Sequence, residues 1–207
     1  MTLRVGRMPY LNSDVFYWAL PADACELVFL PPRAMAEATE RADLDCGPLP
    51  MAEILRMGDT LEPLGDYCVA TVQSSVSILL FTRVPAEELD GARIAVTSHT
   101  ASSVQLMRVL FAERWGVSPA ALVGMDEEHD AQLLIGDPAL QARGGVAGFD
   151  RAYDLGFEWF DHTGGLPFVY ARWVALKNAD ASKLSVFQTA FETAFEAGLA
   201  NLSEDVD

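Results

Sequence analysis

Residues 3–20, LRVGRMPYLNSDVFYWAL, place a short strand-like run directly before an apolar helical pattern. Leu3–Val5 gives the β pattern, and Gly6 and Pro9 interrupt it before the helical pattern starts. Because a strand that leads through a turn into a helix is the repeating step of α/β proteins, this stretch sets the expectation for the rest of the chain. The junction carries four polar side chains: Tyr10, Asn12, Ser13 and Asp14.

Strand and helix patterns continue to alternate after this stretch. Leu27–Leu30 is strand-like, and Pro31–Pro32 opens the helical segment RAMAEATERA. The clearest helix is predicted in TASSVQLMRVLFAERWG, with Thr100 or Ser102 as its cap and Gly116 at its end. The segment LDCGPLP is interpreted as a break between two helices. The alternation predicts an α/β fold with largely parallel sheets.

Composition limits the classes of partner. The chain has 207 residues, of which 51% are hydrophobic, so a sizeable core is expected. A formal net charge of −16 argues against binding to nucleic acid or to an anionic membrane. The apolar runs are too short to cross a bilayer, and the first twenty residues do not have the pattern of a signal peptide. Cys25, Cys46 and Cys68 lack CxxC spacing, so we expect reduced, mostly buried thiols in a cytoplasmic protein.

Cofactor motifs are missing from the sequence. His99, His129 and His162 do not have the spacing of metal ligands, and HExxH does not occur. The phosphate-binding patterns GxGxxG and GxxxxGK[ST] and the hydrolase pattern GxSxG are also absent. We therefore expect a protein that uses no metal and no cofactor.

Polar side chains recur at the predicted junctions between a strand and the helix that follows it. Loops at the carboxyl ends of strands are the usual ligand sites of open α/β sheets, and helix N-termini there present free N–H groups. Such residues are also ordinary helix caps, and both interpretations stay open; Asp137, followed by Pro138, is most simply a cap. Four junctions qualify: Tyr10–Ser13, Gln73–Ser77, Ser98–Ser103 and Gly136–Asp137.

Several segments resemble a known family in their order and spacing. They are RVGRMPYLNSDVFY, SSVSILLFTRVPAEELDGARIAVTSHTASSVQLM, LLIGDPAL and YDLGFEWFDHTGGLPFVYARWVAL. From Arg4 to about Leu176 the chain resembles the chorismate dehydratases of the futalosine route to menaquinone. Members of that family usually continue for some tens of residues more, so a shortened product is expected here.

The resemblance implies a two-lobed fold like that of the type II periplasmic binding proteins, with a ligand cleft between the lobes. It places the chain crossings near Phe81–Val84 and Arg172–Ala175. Lobe 1 would then comprise residues 1–82 and 176–207, and lobe 2 residues 83–175.

The resemblance also implies an activity. The family are carbon–oxygen lyases that dehydrate chorismate to 3-[(1-carboxyvinyl)oxy]benzoate without a metal or other cofactor. The implied partner is a small dianion, chorismate, with no nucleic acid and no membrane; the oligomeric state is left open. Hydroxyls, an amide and helix N–H groups can hold two carboxylates without bulk positive charge.

Site residues follow from matching the family's motifs. The resemblance assigns catalytic roles to Asn12 and Ser77. A general base is not evident, and one hypothesis is that a carboxylate of the substrate takes the proton. The implied substrate-binding residues are Tyr10, Thr100, Ser102, Ser103, Gly136 and Asp137. Ser75 is added to them because it shares one face of an extended chain with Ser77.

Two other functions remain as alternatives. A sister enzyme of the same pathway cleaves cyclic dehypoxanthine futalosine, and would need a base for which His99 is the candidate. A solute-binding protein without catalysis is compatible with the same fold.

Overall fold

Strands and helices alternate along the chain, so the predicted α/β class is confirmed. The computed structural model describes residues 2–98 and 100–204, without the side chains of residues 203 and 204. Within these residues, none of the helices is both long and apolar enough to cross a membrane. The elements are β1 (Arg4–Arg7), a 3₁₀ turn (Leu11–Phe16), β2 (Glu26–Phe29), α1 (Pro32–Glu40), β3 (Cys46–Pro50), α2 (Met51–Met57), a 3₁₀ turn (Gly58–Thr60), β4 (Leu61–Thr71), β5 (Ile78–Thr82), a 3₁₀ turn (Ala86–Glu88), β6 (Arg93–Val96), α3 (Ser102–Leu110), a π turn (Phe111–Trp115), β7 (Ala121–Val123), β8 (Ala131–Ile135), α4 (Asp137–Gln141), a 3₁₀ turn (Ala142–Gly144), β9 (Arg151–Asp154), α5 (Leu155–Thr163), β10 (Phe168–Leu176) and α6 (Ala181–Glu204).

Internal contacts divide the chain into two units. The first unit is Met1–Val69 with Ala171–Asp207, and the second unit is Ala70–Tyr170. The changes from one unit to the other fall inside β4 and β10. The division implied by the resemblance has its crossings further along the chain, near residues 81–84 and 172–175.

The sheet of the first unit has the strand order β2-β1-β3-β10-β4. β1 is parallel to β2 and β3, whereas β10 is antiparallel to β3. The interpretation of LDCGPLP as a simple break is wrong, because Cys46–Pro50 is a fully buried strand. Pro48 and Pro50 are two residues apart, so both lack an N–H on the same side of the strand and leave the hydrogen bonds of the other side intact.

An aromatic cluster fills the core of the first unit around Trp173, which is fully buried. The Trp173 ring lies 4.3 Å from that of Phe191 and 5.6 Å from that of Phe16, measured between centroids. Phe16 ends the turn that follows β1, so its burial holds this turn against the core. The helix predicted after Pro9 is instead a 3₁₀ turn, since the Ser13 amide donates to the Tyr10 carbonyl three residues before it.

The first unit also buries two of the thiols. Cys25 and Cys46 are buried, and Cys68 is exposed. Burial raises the pKa of the Cys25 thiol to about 11 and raises that of Cys46 as well. Both buried cysteines are therefore protonated at neutral pH and act as small apolar side chains.

The sheet of the second unit has the strand order β7-β6-β8-β5-β9. β6 is parallel to both β7 and β8. β5 lies between β8 and β9 and is antiparallel to both. β6, β7, β8 and β9 therefore run in one direction and β5 in the opposite one.

The long predicted helix of the second unit is present, but its beginning differs from the prediction. α3 begins at Ser102 and continues as a π turn to Trp115, after which Gly116 ends it in the left-handed conformation. The prediction that Thr100 or Ser102 caps this helix is wrong, because the N-cap residue is Ala101. A methyl group cannot accept a hydrogen bond, so the start of α3 has no side-chain cap at this position.

We predict that Trp173→Ala lowers the free energy of unfolding by about 3–5 kcal/mol, because it leaves a large cavity in the aromatic cluster. Trp18→Ala is the matched control. Trp18 is 65% exposed, so its loss should change stability by no more than about 0.5 kcal/mol. Urea denaturation of both variants measures the difference, and equal losses would contradict this description of the core.

Candidate functional site

The polar loops of the second unit meet at one edge of its sheet. β6, β7, β8 and β9 all end at this edge, and β5 begins there, because Ile78 pairs with Ile135 and Leu79 with Asp154. The loop before β5 therefore lies at the same edge as the loops after its parallel neighbours. In open α/β sheets the carboxyl ends of the strands are where ligands bind.

The loop before β5, residues 73–77, is called the serine loop below, and Asp154 holds it through hydrogen bonds. The Ser75 amide donates to the Asp154 carboxylate over 2.9 Å and the Ser75 hydroxyl over 2.8 Å. The Ser74 hydroxyl donates over 2.5 Å and the Val76 amide over 2.7 Å. Burial alone would raise the pKa of Asp154, but these hydrogen bonds outweigh it and hold the pKa below its usual value.

Val76 gives the serine loop an unusual backbone. Its φ angle is 52°, in the left-handed region that β-branched residues avoid. Such a conformation costs on the order of 1–3 kcal/mol, so the surrounding contacts must hold it. Backbone strain of this kind is concentrated at functional sites.

The same aspartate begins α5. Its carboxylate accepts hydrogen bonds from the Gly156 amide at 2.9 Å and the Phe157 amide at 3.2 Å, which makes it the N-cap of that helix. A Cβ atom at Gly156 would lie 2.9 Å from both the Gln73 carbonyl oxygen and the Ser75 nitrogen. Only glycine lets α5 approach the serine loop this closely.

Further along α5, an arginine from the π turn holds the helix. Arg114 donates to Glu158 over 2.6 Å and to Asp161 over 2.9 Å. Burial raises the pKa of Glu158, and the nearby Arg114 opposes that shift. The start and the middle of α5 are thus both fixed within the second unit.

Ser77, a predicted catalytic residue, links the serine loop to the turn after β8. It is 8% exposed, and its hydroxyl donates to the Ser75 carbonyl over 3.2 Å. Its own carbonyl accepts from the Gly136 amide over 2.8 Å. The structure therefore brings together the predicted residues Ser75, Ser77 and Gly136.

The turn after β8 differs in one detail from the sequence interpretation. Gly136 is the N-cap residue of α4, and Asp137 is its first residue, so the interpretation of Asp137 as the cap is wrong. The reason lies in the backbone: the chain enters α4 with a φ of 63° at residue 136, which favours glycine.

The start of α3 carries buried hydroxyls. Thr100 is 7% exposed, and Ser102 and Ser103 are each 6% exposed. Within the described part of the chain, the Thr97 and Thr100 hydroxyl oxygens are buried without a hydrogen-bond partner. The two unpaired threonine hydroxyls, close in sequence to a helix start whose N-cap residue gives no side-chain cap, are neutral donors of the kind that bind an anion.

A cavity opens beside these hydroxyls. Its volume is about 480 Å³. It is lined by the end of β6 and the two residues after it (96–98), and by the end of β7 and the three residues after it (122–126). Thr97 is among the lining residues, and its unpaired hydroxyl oxygen is buried behind the cavity surface.

The first unit has its own polar turn, after β1. Ser13 is buried, and its hydroxyl lies in hydrogen-bond contact with two carbonyl oxygens, that of Tyr10 at 2.7 Å and that of Met8 at 3.0 Å. Arg7 forms an ion pair with Asp14 at 3.0 Å. These contacts hold the turn and leave Asn12 exposed on it, with Tyr10 partly exposed.

His129 and His162, the two histidines that the structure describes, do not belong to a metal site. In the described ranges, no group of three or more His, Cys, Asp or Glu side chains could hold a metal ion. The His129 ring stacks on Phe149 at 5.9 Å, and His162 is in the last turn of α5. His99, the candidate base of the sister enzyme, lies outside the described residues.

Asp154 is the residue that the sequence analysis missed. It lies in the segment YDLGFEWFDHTGG, which contributes to the family resemblance but from which no site residue was predicted. An aspartate directly before an apolar helical run is a cap signature, so the sequence did carry a signal for its role at α5. The residues of the serine loop, about eighty positions earlier, could not be connected to it from sequence spacing.

Comparison with solved structures defines the class. Protein AF1704 from Archaeoglobus fulgidus has a TM-score of 0.74 at 18% identity, and the match covers 98% of this chain and 78% of that one. The alkanesulfonate-binding protein SsuA from Xanthomonas axonopodis pv. citri has a TM-score of 0.60 at 16% identity, covering 98% and 74%. The chain therefore has the α/β fold of periplasmic-binding-protein-like proteins.

The sequence comparisons then identify the family. The profile of the menaquinone biosynthesis family matches residues 3–207, so the chain belongs to that family. Chorismate dehydratase from Thermus thermophilus is 30% identical over 169 residues, which are 72% of this chain and 60% of that relative's length. The resemblance stated from the sequence motifs is thereby confirmed.

We predict that Ser13→Ala lowers the free energy of unfolding by about 1–3 kcal/mol, because the buried Met8 carbonyl loses its hydrogen bond. Ser185→Ala is the matched control, since Ser185 is exposed on α6 and its loss should cost no more than about 0.5 kcal/mol. Chemical denaturation compares the two variants. A Ser13→Ala protein as stable as Ser185→Ala would contradict the role of this hydroxyl in holding the turn.

Proposed function

We propose that this protein is a chorismate dehydratase, a carbon–oxygen lyase that removes water from chorismate to give 3-[(1-carboxyvinyl)oxy]benzoate in the futalosine route to menaquinone. The observation that supports this most directly is the 30% identity with a chorismate dehydratase, within a family matched over residues 3–207.

The chemistry of the second unit's loops supports an anionic substrate. The unpaired, buried hydroxyls of Thr97 and Thr100 lie between β6 and α3, at the edge of the sheet where ligands of α/β proteins bind. Chorismate carries two carboxylates, and we assign Thr100, Ser102 and Ser103 to one of them. Neutral donors of this kind suit a chain whose net charge is −16, because binding of the anion then does not depend on long-range attraction to the protein's net charge.

The reaction itself needs orientation and one proton transfer. A ring C–H bond breaks, and its electron pair forms the ring double bond. The neighbouring C–O bond breaks as well, and the hydroxyl leaves as water after taking up the proton that the ring released and the base passed on. The ring becomes aromatic, so the reaction is favourable once the geometry is set. We assign this orientation to Asn12 and Ser77, and contacts with the rest of the substrate to Tyr10, Ser75, Gly136 and Asp137.

We propose that a carboxylate of chorismate accepts the ring proton. Apart from Asp137 at the start of α4, the assigned residues contribute hydroxyls, an amide and backbone N–H groups, and Asp154 is already occupied by hydrogen bonds to its own unit. We expect the pH profile of kcat to show no protein group that titrates near neutrality. A limb near neutral pH that disappears on substitution of one His, Asp or Glu would show that the protein supplies the base instead.

The direct test incubates the purified protein with chorismate and follows the product by absorbance and mass. We expect a product lighter than chorismate by one water. Retention of unchanged chorismate would contradict the lyase and favour a binding protein, and failure to bind chorismate would contradict both.

We predict that Asn12→Ala lowers kcat/KM by roughly 10- to 100-fold, as expected for the loss of a hydrogen bond to a charged group. Ser77→Ala should have an effect of the same size. Asn178→Ala and Ser118→Ala are the matched controls, because both residues are exposed and outside the assigned loops. Near-full activity of Asn12→Ala would remove Asn12 from the mechanism.

A further inference from the structure

The serine loop has a conformation that its own sequence does not favour. Val76 has a φ of 52°, and a β-branched residue enters this region only when its surroundings impose it. Ser77 follows Val76 directly, so the direction of the Ser77 backbone and hydroxyl depends on that conformation. Something outside the loop must therefore hold it.

Asp154 supplies the contacts that hold the loop. Its Oδ2 atom accepts from the Val76 amide at 2.7 Å, and its Oδ1 atom accepts from the Ser75 amide at 2.9 Å. Two consecutive amides donate to one carboxylate, so the backbone is held immediately before the left-handed turn at Val76. The Ser75 hydroxyl also donates a hydrogen bond to Oδ1 of Asp154, over 2.8 Å.

The carboxylate is itself fixed, because it belongs to the start of α5. The Gly156 amide donates to Oδ1, and the absence of a side chain at Gly156 lets the helix lie against residues 73 and 75. Arg114 holds the middle of α5 through Glu158 and Asp161. The loop is thus fastened to a helix whose position is already determined.

We propose that Asp154 is a positioning residue, which holds the serine loop in the conformation that Ser77 needs for the dehydration. This inference rests on the proposed function, because it takes Ser77 to act on the substrate. Asp154 acts through the loop and does not itself contact chorismate. Its role as the helix cap of α5 is separate, and the two roles can be separated by mutation.

The substitution Asp154→Ser separates the capping of α5 from the holding of the serine loop. A serine hydroxyl can still cap α5, but it is too short to reach the Ser75 and Val76 amides. Asp154→Asn is the conservative variant, because its one carbonyl oxygen still accepts the Ser75 amide while its NH₂ group cannot accept the Val76 amide. Asp150→Asn is the control; Asp150 is exposed, in the same unit, and its substitution removes the same charge.

Two measurements are made on each full-length variant. Amide hydrogen exchange follows residues 75 and 76 together with the amides of α5, and steady-state kinetics with chorismate gives kcat and KM. We expect faster exchange at residues 75 and 76 of Asp154→Ser, with α5 unchanged. We expect its kcat to fall by roughly 10- to 100-fold with a smaller change in KM, because a displaced orienting group mainly affects the reacting geometry.

The expected order of activity is wild type and Asp150→Asn, then Asp154→Asn, then Asp154→Ser. Unchanged exchange at residues 75 and 76 in Asp154→Ser would overturn the inference, and so would wild-type kcat in a variant whose loop exchanges faster. If Asp154→Ser does not fold, Asp154→Asn is judged by the same two readouts. A wild-type protein that does not turn over chorismate rejects the proposed function, and the exchange measurement then decides by itself whether Asp154 holds the loop.

Discussion

The shared direction of β6, β7, β8 and β9 is the constraint on which the candidate site of the second unit depends. Parallel strands must end at the same edge, so the loops that follow them are neighbours in space although they are far apart in sequence. β5 runs the opposite way, and for that reason the loop before it joins the same group. Threonine, serine and glycine residues from separate segments are thereby brought to one edge of the sheet.

Asp154 connects two of these segments, because its one carboxylate accepts hydrogen bonds from both of them. It ends β9, begins α5 and accepts the amides of the serine loop, so a strand, a helix and a loop share one set of hydrogen bonds. Charged acceptors form the stronger hydrogen bonds, and here they offset the cost of the left-handed backbone at Val76. The geometry therefore explains why an aspartate and a glycine stand two residues apart at positions 154 and 156.

The sequence predicted the class of fold and the long regular elements because hydrophobic periodicity reports burial directly. It failed where pairing with distant residues decides the local structure. Cys46–Pro50 becomes a strand because β10 pairs with it, although its prolines favour a break. The cap of α3 was placed on Thr100 or Ser102 by residue type, whereas the backbone puts Ala101 there. The link between Asp154 and the serine loop is tertiary and has no local signal.

The discontinuity of the first unit has a consequence for synthesis on the ribosome. Residues 1–69 emerge without β10, which pairs with β3, and without Trp173 and Phe191, which fill the aromatic cluster. The second unit is continuous in sequence, so it is complete before the first. At about 5–20 residues per second, the nascent first unit waits for several seconds with an unpaired edge and an unfilled core. The core of the first unit is therefore completed only after the whole second unit has been synthesised.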